Sequence, residues 1–311
     1  MKKLVLFLTI MLAITVNAQN LMTSAPGKTA ILMVHFGTTV DETREITIDA
    51  INEKVKRAFP EITVAEAYTS RIIIDRLAKR GIKKATPKEV LLRLAADGYS
   101  NVIVQGTNVI DGIEAEVLRQ EAAMMKPFFN EIRVGHPLLY SIADCERTVE
   151  VLKNRYSDHV GKDKAVVLVG HGTSTPANAI YSQVDYMFGS AGADNFHVAT
   201  VEGYPTFDTT VARIKNERVK NVCLIPFMFV AGDHARNDID VEWRERLENG
   251  GFQVETVIEG LGQIPEIQEI YIEEEFRRHG VATQLYEYAE AKARHNGAEV
   301  IRAGTGLCNS A

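Results

Sequence analysis

Several things are scarce in this chain, and each scarcity narrows its function. Three cysteines, Cys145, Cys223 and Cys308, stand among 311 residues, too few and too odd a number for a disulfide framework. No two of them fall at metal-ligand spacing. Cys223 lies within an apolar, strand-like run and reads as a buried small hydrophobe. There is no basic cluster and the net charge is -6, which argues against nucleic acid as a partner. After the first eighteen residues no segment is long and apolar enough to span a bilayer, so no stable membrane span is expected.

Nucleotide and hydrolase signatures are missing as well. No Gly-x-x-x-x-Gly-Lys-Ser/Thr loop occurs, and Gly260-Leu261-Gly262-Gln263 lacks the third glycine of a dinucleotide fingerprint. Gly170 stands before His171 and Gly172, where a histidine phosphatase would carry arginine. No Gly-x-Ser-x-Gly elbow is found.

The chain opens Met1-Lys2-Lys3, runs uncharged through 4–16 and reaches Val16-Asn17-Ala18 before Gln19. A basic start, a short apolar stretch and a small residue before the cut are the pattern of a secretory signal peptide. Residues 1–18 are therefore expected to be removed and the mature protein to be periplasmic. The competing reading, an uncleaved anchor, is disfavoured because the run falls short of the ~20 residues that cross a bilayer.

From residue 28 onward the sequence repeats itself loosely. Lys28-Thr29-Ala30-Ile31-Leu32-Met33-Val34-His35-Phe36-Gly37-Thr38-Thr39 aligns with Asp163-Lys164-Ala165-Val166-Val167-Leu168-Val169-Gly170-His171-Gly172-Thr173-Ser174, and Gly112 later falls opposite Gly232. So long a repeat means two similar halves rather than a solenoid. Short apolar runs alternate with helix-period segments, the pattern of parallel sheets covered on both faces. Strands are predicted near 30–34, 62–66, 101–105, 131–134, 165–169, 196–201, 221–226 and 252–257. Helices are predicted over 41–58, 87–97, 113–125, 178–187, 207–216 and 238–249. Thr86-Pro87 supplies a cap followed by proline at the first helical position, and Gly250-Gly251 a stop. The fold expected is α/β, two doubly wound parallel-sheet halves over 19–157 and 158–268 with an active-site cleft between them, followed by an appendage over 269–311.

His171 and His234 each follow an apolar run, and Glu202 follows a third. In open α/β sheets ligands bind at the carboxyl ends of strands, where distant residues converge. Two imidazoles and a carboxylate suit a divalent transition metal such as cobalt, nickel, iron or zinc.

These segments carry a resemblance. His35-Phe36-Gly37-Thr38-Thr39, Val109-Ile110-Asp111-Gly112-Ile113-Glu114, Gly170-His171-Gly172, Val201-Glu202-Gly203-Tyr204-Pro205 and Val230-Ala231-Gly232-Asp233-His234-Ala235-Arg236-Asn237-Asp238 resemble the CbiK-type sirohydrochlorin cobaltochelatases, class II chelatases, from about Lys28 to about Ile270. The resemblance implies ATP-independent insertion of Co2+ into sirohydrochlorin or precorrin-2, with Co2+ as substrate and bound ion. It implies a metal site of His171, Glu202 and His234, with His171 also taking protons and Glu114 facing the site across the cleft. Glu116 competes with Glu114, and either is equally at home in a first helical turn, where acid complements the dipole. His35, His136 and His197 are weaker candidates. Phe36, opposite His171 in the repeat, is either a packed core residue or an apolar wall for a macrocycle.

Beyond residue 268 the sequence changes character. Arg277-Arg278-His279-Gly280-Val281-Ala282 and the alanine-rich stretch after it resemble the acetyl-CoA segment of GNAT acetyltransferases, in which a helix start presents N–H groups to a pyrophosphate. This tail lacks the earlier strands of that fold and reads as a helical appendage. An exported carrier of haem, another tetrapyrrole or a metal ion stays open beside the enzyme, with Fe2+ and Ni2+ as further ions and a homo-oligomer as the expected assembly.

Overall fold

The computed structural model describes residues 27–232 and 235–277, with side chains to Ile272. The expected signal peptide, His234 and most of the acetyltransferase-like tail lie outside the described residues.

The first half contains β1 (Thr29–His35), β2 (Thr63–Tyr68), β3 (Asn101–Gly106) and β4 (Glu131–Val134). Its helices are α1, built from Asp41–Arg44, a π-helical stretch Glu45–Asp49 and Ala50–Ala58, then α2 (Arg71–Ala78), α3 (Pro87–Ala96), α4 (Ile113–Met125) and α5 (Ile142–Arg155). The second half follows with β5 (Lys164–Gly170), β6 (Phe196–Thr200), β7 (Asn221–Pro226) and β8 (Gln253–Thr256). Its helices are α6 (Ala179–Ser190), α7 (Phe207–Asn216), α8, a π-helical Ala235–Trp243 continued by Arg244–Asn249, and α9 (Pro265–Arg277).

All strand pairings within the two sheets are parallel, in the orders β2-β1-β3-β4 and β6-β5-β7-β8. The same order in both halves matches the internal repeat. In each, the chain steps to opposite sides of the central strand, which creates a switch point at the carboxyl ends of β1 and β3, and of β5 and β7. Central strands are apolar on both faces because both are covered. Ala30, Leu32 and Val34 face α3 and α4 through Leu91 and Leu118, whereas Ile31 and Met33 belong to a larger core that contains Val166 and Leu168 of the other sheet. That shared core joins the halves.

Helix starts follow the local chemistry. Thr86 accepts from Glu89 N (3.4 Å) and Glu89 Oε2 accepts from Thr86 N (2.8 Å), a closed capping box ahead of Pro87. Two helices go beyond those read from sequence. In α2 the Ile72-Ile73-Ile74 run has strand-like composition, yet Ser70 caps Ile73 N and starts a helix. In α5 Ser141 caps Asp144 N.

The division expected at 268/269 falls within a helix. Helix α9 runs through it, and Ile267, Ile270 and Tyr271 are all buried in the shared core. The Tyr271 hydroxyl donates to the carbonyl oxygens of Thr107 (3.2 Å) and Asn108 (3.0 Å) in the first half, while Lys54 of α1 reaches Pro265 O (2.8 Å) and Glu269 (3.1 Å). Helix α5, the last of the first half, packs on α6 of the second. Each half thus lends its final helix to the other, so burial rather than composition sets where the body of the protein ends.

Candidate active site

The two carboxyl rims meet with the symmetry of the repeat. A methyl group placed on Gly112 would lie 4.0 Å from Thr173 Oγ1, and one placed on Gly232 would lie 3.6 Å from Thr38 Oγ1. Thr38 and Thr173 are repeat equivalents, as are Gly112 and Gly232. Each half's β1-type loop therefore lies against the other half's β3-type loop.

On the second rim the loops after β5 and β6 are bound directly together. Glu202 N donates to His171 O at 2.7 Å and Val201 N to Gly170 O at 2.9 Å. Gly172 permits this approach: its φ is +86°, and a Cβ there would stand 2.2 Å from Glu202 O. Asn178 fastens the same loops by accepting from Thr173 N (3.1 Å) and donating to Tyr204 O (2.6 Å). Thr200 closes the turn through Pro205 O, with its N at 2.8 Å and its Oγ1 at 3.0 Å. Both His171 and Glu202 are exposed on this surface, and His171 Nδ1 lies 3.2 Å from Gly172 O. His234, the third residue of the set read from sequence, lies outside the described residues two positions after Gly232, and the π-helical part of α8 follows it at once. Such π segments recur at functional sites.

The first rim contributes Glu114 and Glu116, both exposed in the first turn of α4. Glu116 is already engaged, accepting from Arg119 (2.7 Å) and Gln120 (2.9 Å), and these bonds hold its carboxyl below the usual range. Glu114 has no side-chain hydrogen bond or ion pair among the described residues, so it is the one of the two that is free to act.

Large apolar side chains stand exposed on the rim segments themselves. Phe36 is 50% exposed, Ile113 52% and Tyr204 56%. Phe36 is thus not a core residue. Together the three give the rims apolar surface of the kind a flat macrocycle covers.

The weaker histidines resolve differently. His35 is buried beneath the rim, with Nδ1 3.0 Å from Thr107 Oγ1 and Nε2 3.0 Å from Asn52 Oδ1. Asn52 Nδ2 donates to Glu66 (2.9 Å), which also accepts from Lys84 (2.5 Å). That chain of donors turns Asn52 Oδ1 toward the ring and fixes a neutral imidazole with its proton on Nε2. Burial lowers its pKa to about 4, against the opposing pull of Asn52. His197 is buried within β6 and its pKa is likewise lowered to about 4, by burial and then by Arg213; Glu217 stands 3.0 Å from its Nε2 but is shared with Arg213. The His136 ring lies against that of Tyr140, centroids 3.7 Å apart and tilted by 38°.

One group of candidate ligands escapes sequence reasoning altogether. His159, Cys223 and Glu255 bring donor atoms within 4.8 Å of one another. Only the pairing of β7 with β8, which sets Cys223 against Glu255, assembles it.

Comparison with known proteins bears on the whole arrangement. Residues 29–276 match the family described as cobalt chelatase (CbiK), and residues 253–311 match the GNAT acetyltransferase family. The chain is 34% identical over 250 residues to a sirohydrochlorin cobaltochelatase of Salmonella typhimurium, covering 79% of this chain and 94% of that one. It is 30% identical over 252 residues to the sirohydrochlorin cobaltochelatase CbiKC of Nitratidesulfovibrio vulgaris, covering 79% and 89%. Among solved structures, SirB from Bacillus subtilis with Fe3+ superposes with a TM-score of 0.59 at 16% identity, over 83% of this chain and 97% of that one, a likeness of fold. The two family matches overlap over 253–276, where the described residues form β8 and α9 of the two-sheet body.

Proposed function

The chain belongs to the CbiK family of cobalt chelatases, and from that premise we propose that it inserts Co2+ into sirohydrochlorin in the cleft between its two carboxyl rims, without ATP. The observation that carries this reading is the Glu202 N to His171 O bond, which ties the backbones of two candidate ligand residues together on one exposed surface. In the proposal His171, Glu202 and His234 bind the incoming ion, and at least one coordination position stays open for a pyrrole nitrogen, as catalytic sites require. Exchange of one divalent ion for two pyrrole N–H protons leaves two protons to be removed. Neutral histidine near pH 7 accepts a proton readily, so His171 takes one role in binding and another in proton removal. Glu114, uncommitted on the opposite rim, takes or relays the second.

Phe36, Ile113 and Tyr204 support the macrocycle's apolar faces in this reading. The same donor set suits Fe2+ and Ni2+, which we carry as alternative ions. Export to the periplasm also belongs to the proposal, on the basic start and the Val16-Asn17-Ala18 boundary. It is the feature that keeps a tetrapyrrole carrier as the second reading. Incubation of purified protein with Co2+ and sirohydrochlorin in the absence of ATP, beside a haem titration, separates the two. Multiple turnovers are expected; stoichiometric haem binding with no turnover overturns the enzyme.

A further inference from the structure

We propose that His159, Cys223 and Glu255 form a second divalent-metal site, for Zn2+ or a similar borderline ion, on the outer edge of the second sheet and separate from the cleft. The inference is independent of the chelatase reading. Cys223 and Glu255 are partners across β7 and β8, and His159 comes from the 3-10 turn Ser157–His159 that precedes β5. The three donor atoms lie within 4.8 Å of one another. His159 Nδ1 is 3.2 Å from Glu255 Oε2, close to the ~3.3 Å that separates two ligands held about 2.0–2.1 Å from a tetrahedral zinc ion.

The side chains are graded in mobility as such a site needs. Cys223 is 3% exposed and fixed in a central strand, so it serves as the anchor. Glu255 sits on the edge strand with its side chain 64% exposed, and His159 with its side chain 26% exposed, so both can rotate to close on an ion over the sulfur. Thiolate with imidazole favours zinc over the hard cations magnesium and calcium. Coordination releases the Cys223 proton to solvent; until then burial, with Glu255 beside it, pushes the thiol up to about 12. A surface depression of about 400 Å³ opens beside His159, lined also by Arg155, Tyr156, Val257, Ile258 and Glu259. It leaves room for solvent beside the imidazole, the one ligand of the three that lines it.

The test uses Co2+ as a spectroscopic probe for zinc, in full-length protein carrying His171→Ala and Glu202→Gln to disable the cleft and Cys308→Ser to remove the tail thiol. One Co2+ per chain is expected, with a sulfur-to-cobalt charge-transfer band in the near ultraviolet that Zn2+ displaces. Cys223→Ser in that background should abolish the band, and His159→Ala, a surface change that leaves the core intact, should weaken binding by tenfold or more. Absence of the band in the Cys223-containing protein, or its persistence at full affinity in His159→Ala, overturns the site.

Discussion

At the scale of single residues, Gly172 decides whether the backbones of the proposed metal-binding pair can meet. Gly172 tolerates its positive φ and the carbonyl of Glu202 pressed against it, so Gly172→Ala forces the β5 and β6 loops apart. A cost of about 1–3 kcal/mol is expected from the backbone conformation alone, with cobalt affinity lost in proportion; urea unfolding and cobalt titration of the variant read both, and unchanged values would refute the geometry. His35 gives a pH signature. Its folded pKa of about 4 lies below the unfolded value of about 6.5, so below pH 6.5 the unfolded chain binds a proton that the native one refuses. The stability tied to a neutral His35 is therefore full above pH 6.5 and lost as pH falls toward 4. Between about pH 7.5 and about pH 5 the loss should be on the order of 2 kcal/mol, and urea unfolding of His35→Gln should show that much less pH dependence. Equal pH dependence in the two proteins would contradict the burial argument. Of these residues, sequence marks His171 and Glu202 because each ends an apolar run. It gives no sign of Asn178, whose role depends on Tyr204, 26 residues further along the chain.

At the scale of elements, the helix exchanged between halves governs stability. Tyr271 of α9 is 1% exposed and donates to carbonyl oxygens of the loop after β3. Tyr271→Ala should cost about 3–5 kcal/mol, as large aromatic truncations in cores do. Truncation after Gly280 should leave stability and chelation nearly unchanged, because the buried part of α9 ends before it. Denaturation midpoints of the two proteins check this; a destabilised truncation with a stable Tyr271→Ala would reverse the assignment. The strands were readable because both faces of central strands are covered and their apolar runs are nearly unbroken, as in Ala165-Val166-Val167-Leu168-Val169. Helix α2 was not, since three successive isoleucines favour a strand locally and only the Ser70 cap and its packing override them. The continuity of helix α9 across residue 268 was hidden for a related reason: glutamates at 269 and 273–275 make the segment look solvated, while Ile267, Ile270 and Tyr271 supply the buried stripe.

At the scale of the whole molecule, two sheets of one order, joined by a shared core and exchanged helices, set two rims face to face. Sequence showed the repeat and the two parallel sheets; it could not show that Cys223 and Glu255 are neighbours, because strand register is a property of the assembled sheet. Export is also a whole-molecule matter. Intact mass of protein recovered from the cell envelope should show loss of residues 1–18, and a product retaining Met1 that dissolves only in detergent would contradict it. The central claim is that His171, Glu202 and His234 hold the ion that the cleft delivers. It is tested most directly by steady-state insertion of Co2+ into sirohydrochlorin, with cobalt titration alongside, for His171→Ala, His234→Ala and Glu202→Gln, using Glu114→Gln as the comparison. The account predicts loss of insertion and weakened cobalt binding in the first three, and cobalt affinity retained with lowered turnover in the last. Wild-type binding and turnover in both histidine variants would contradict it.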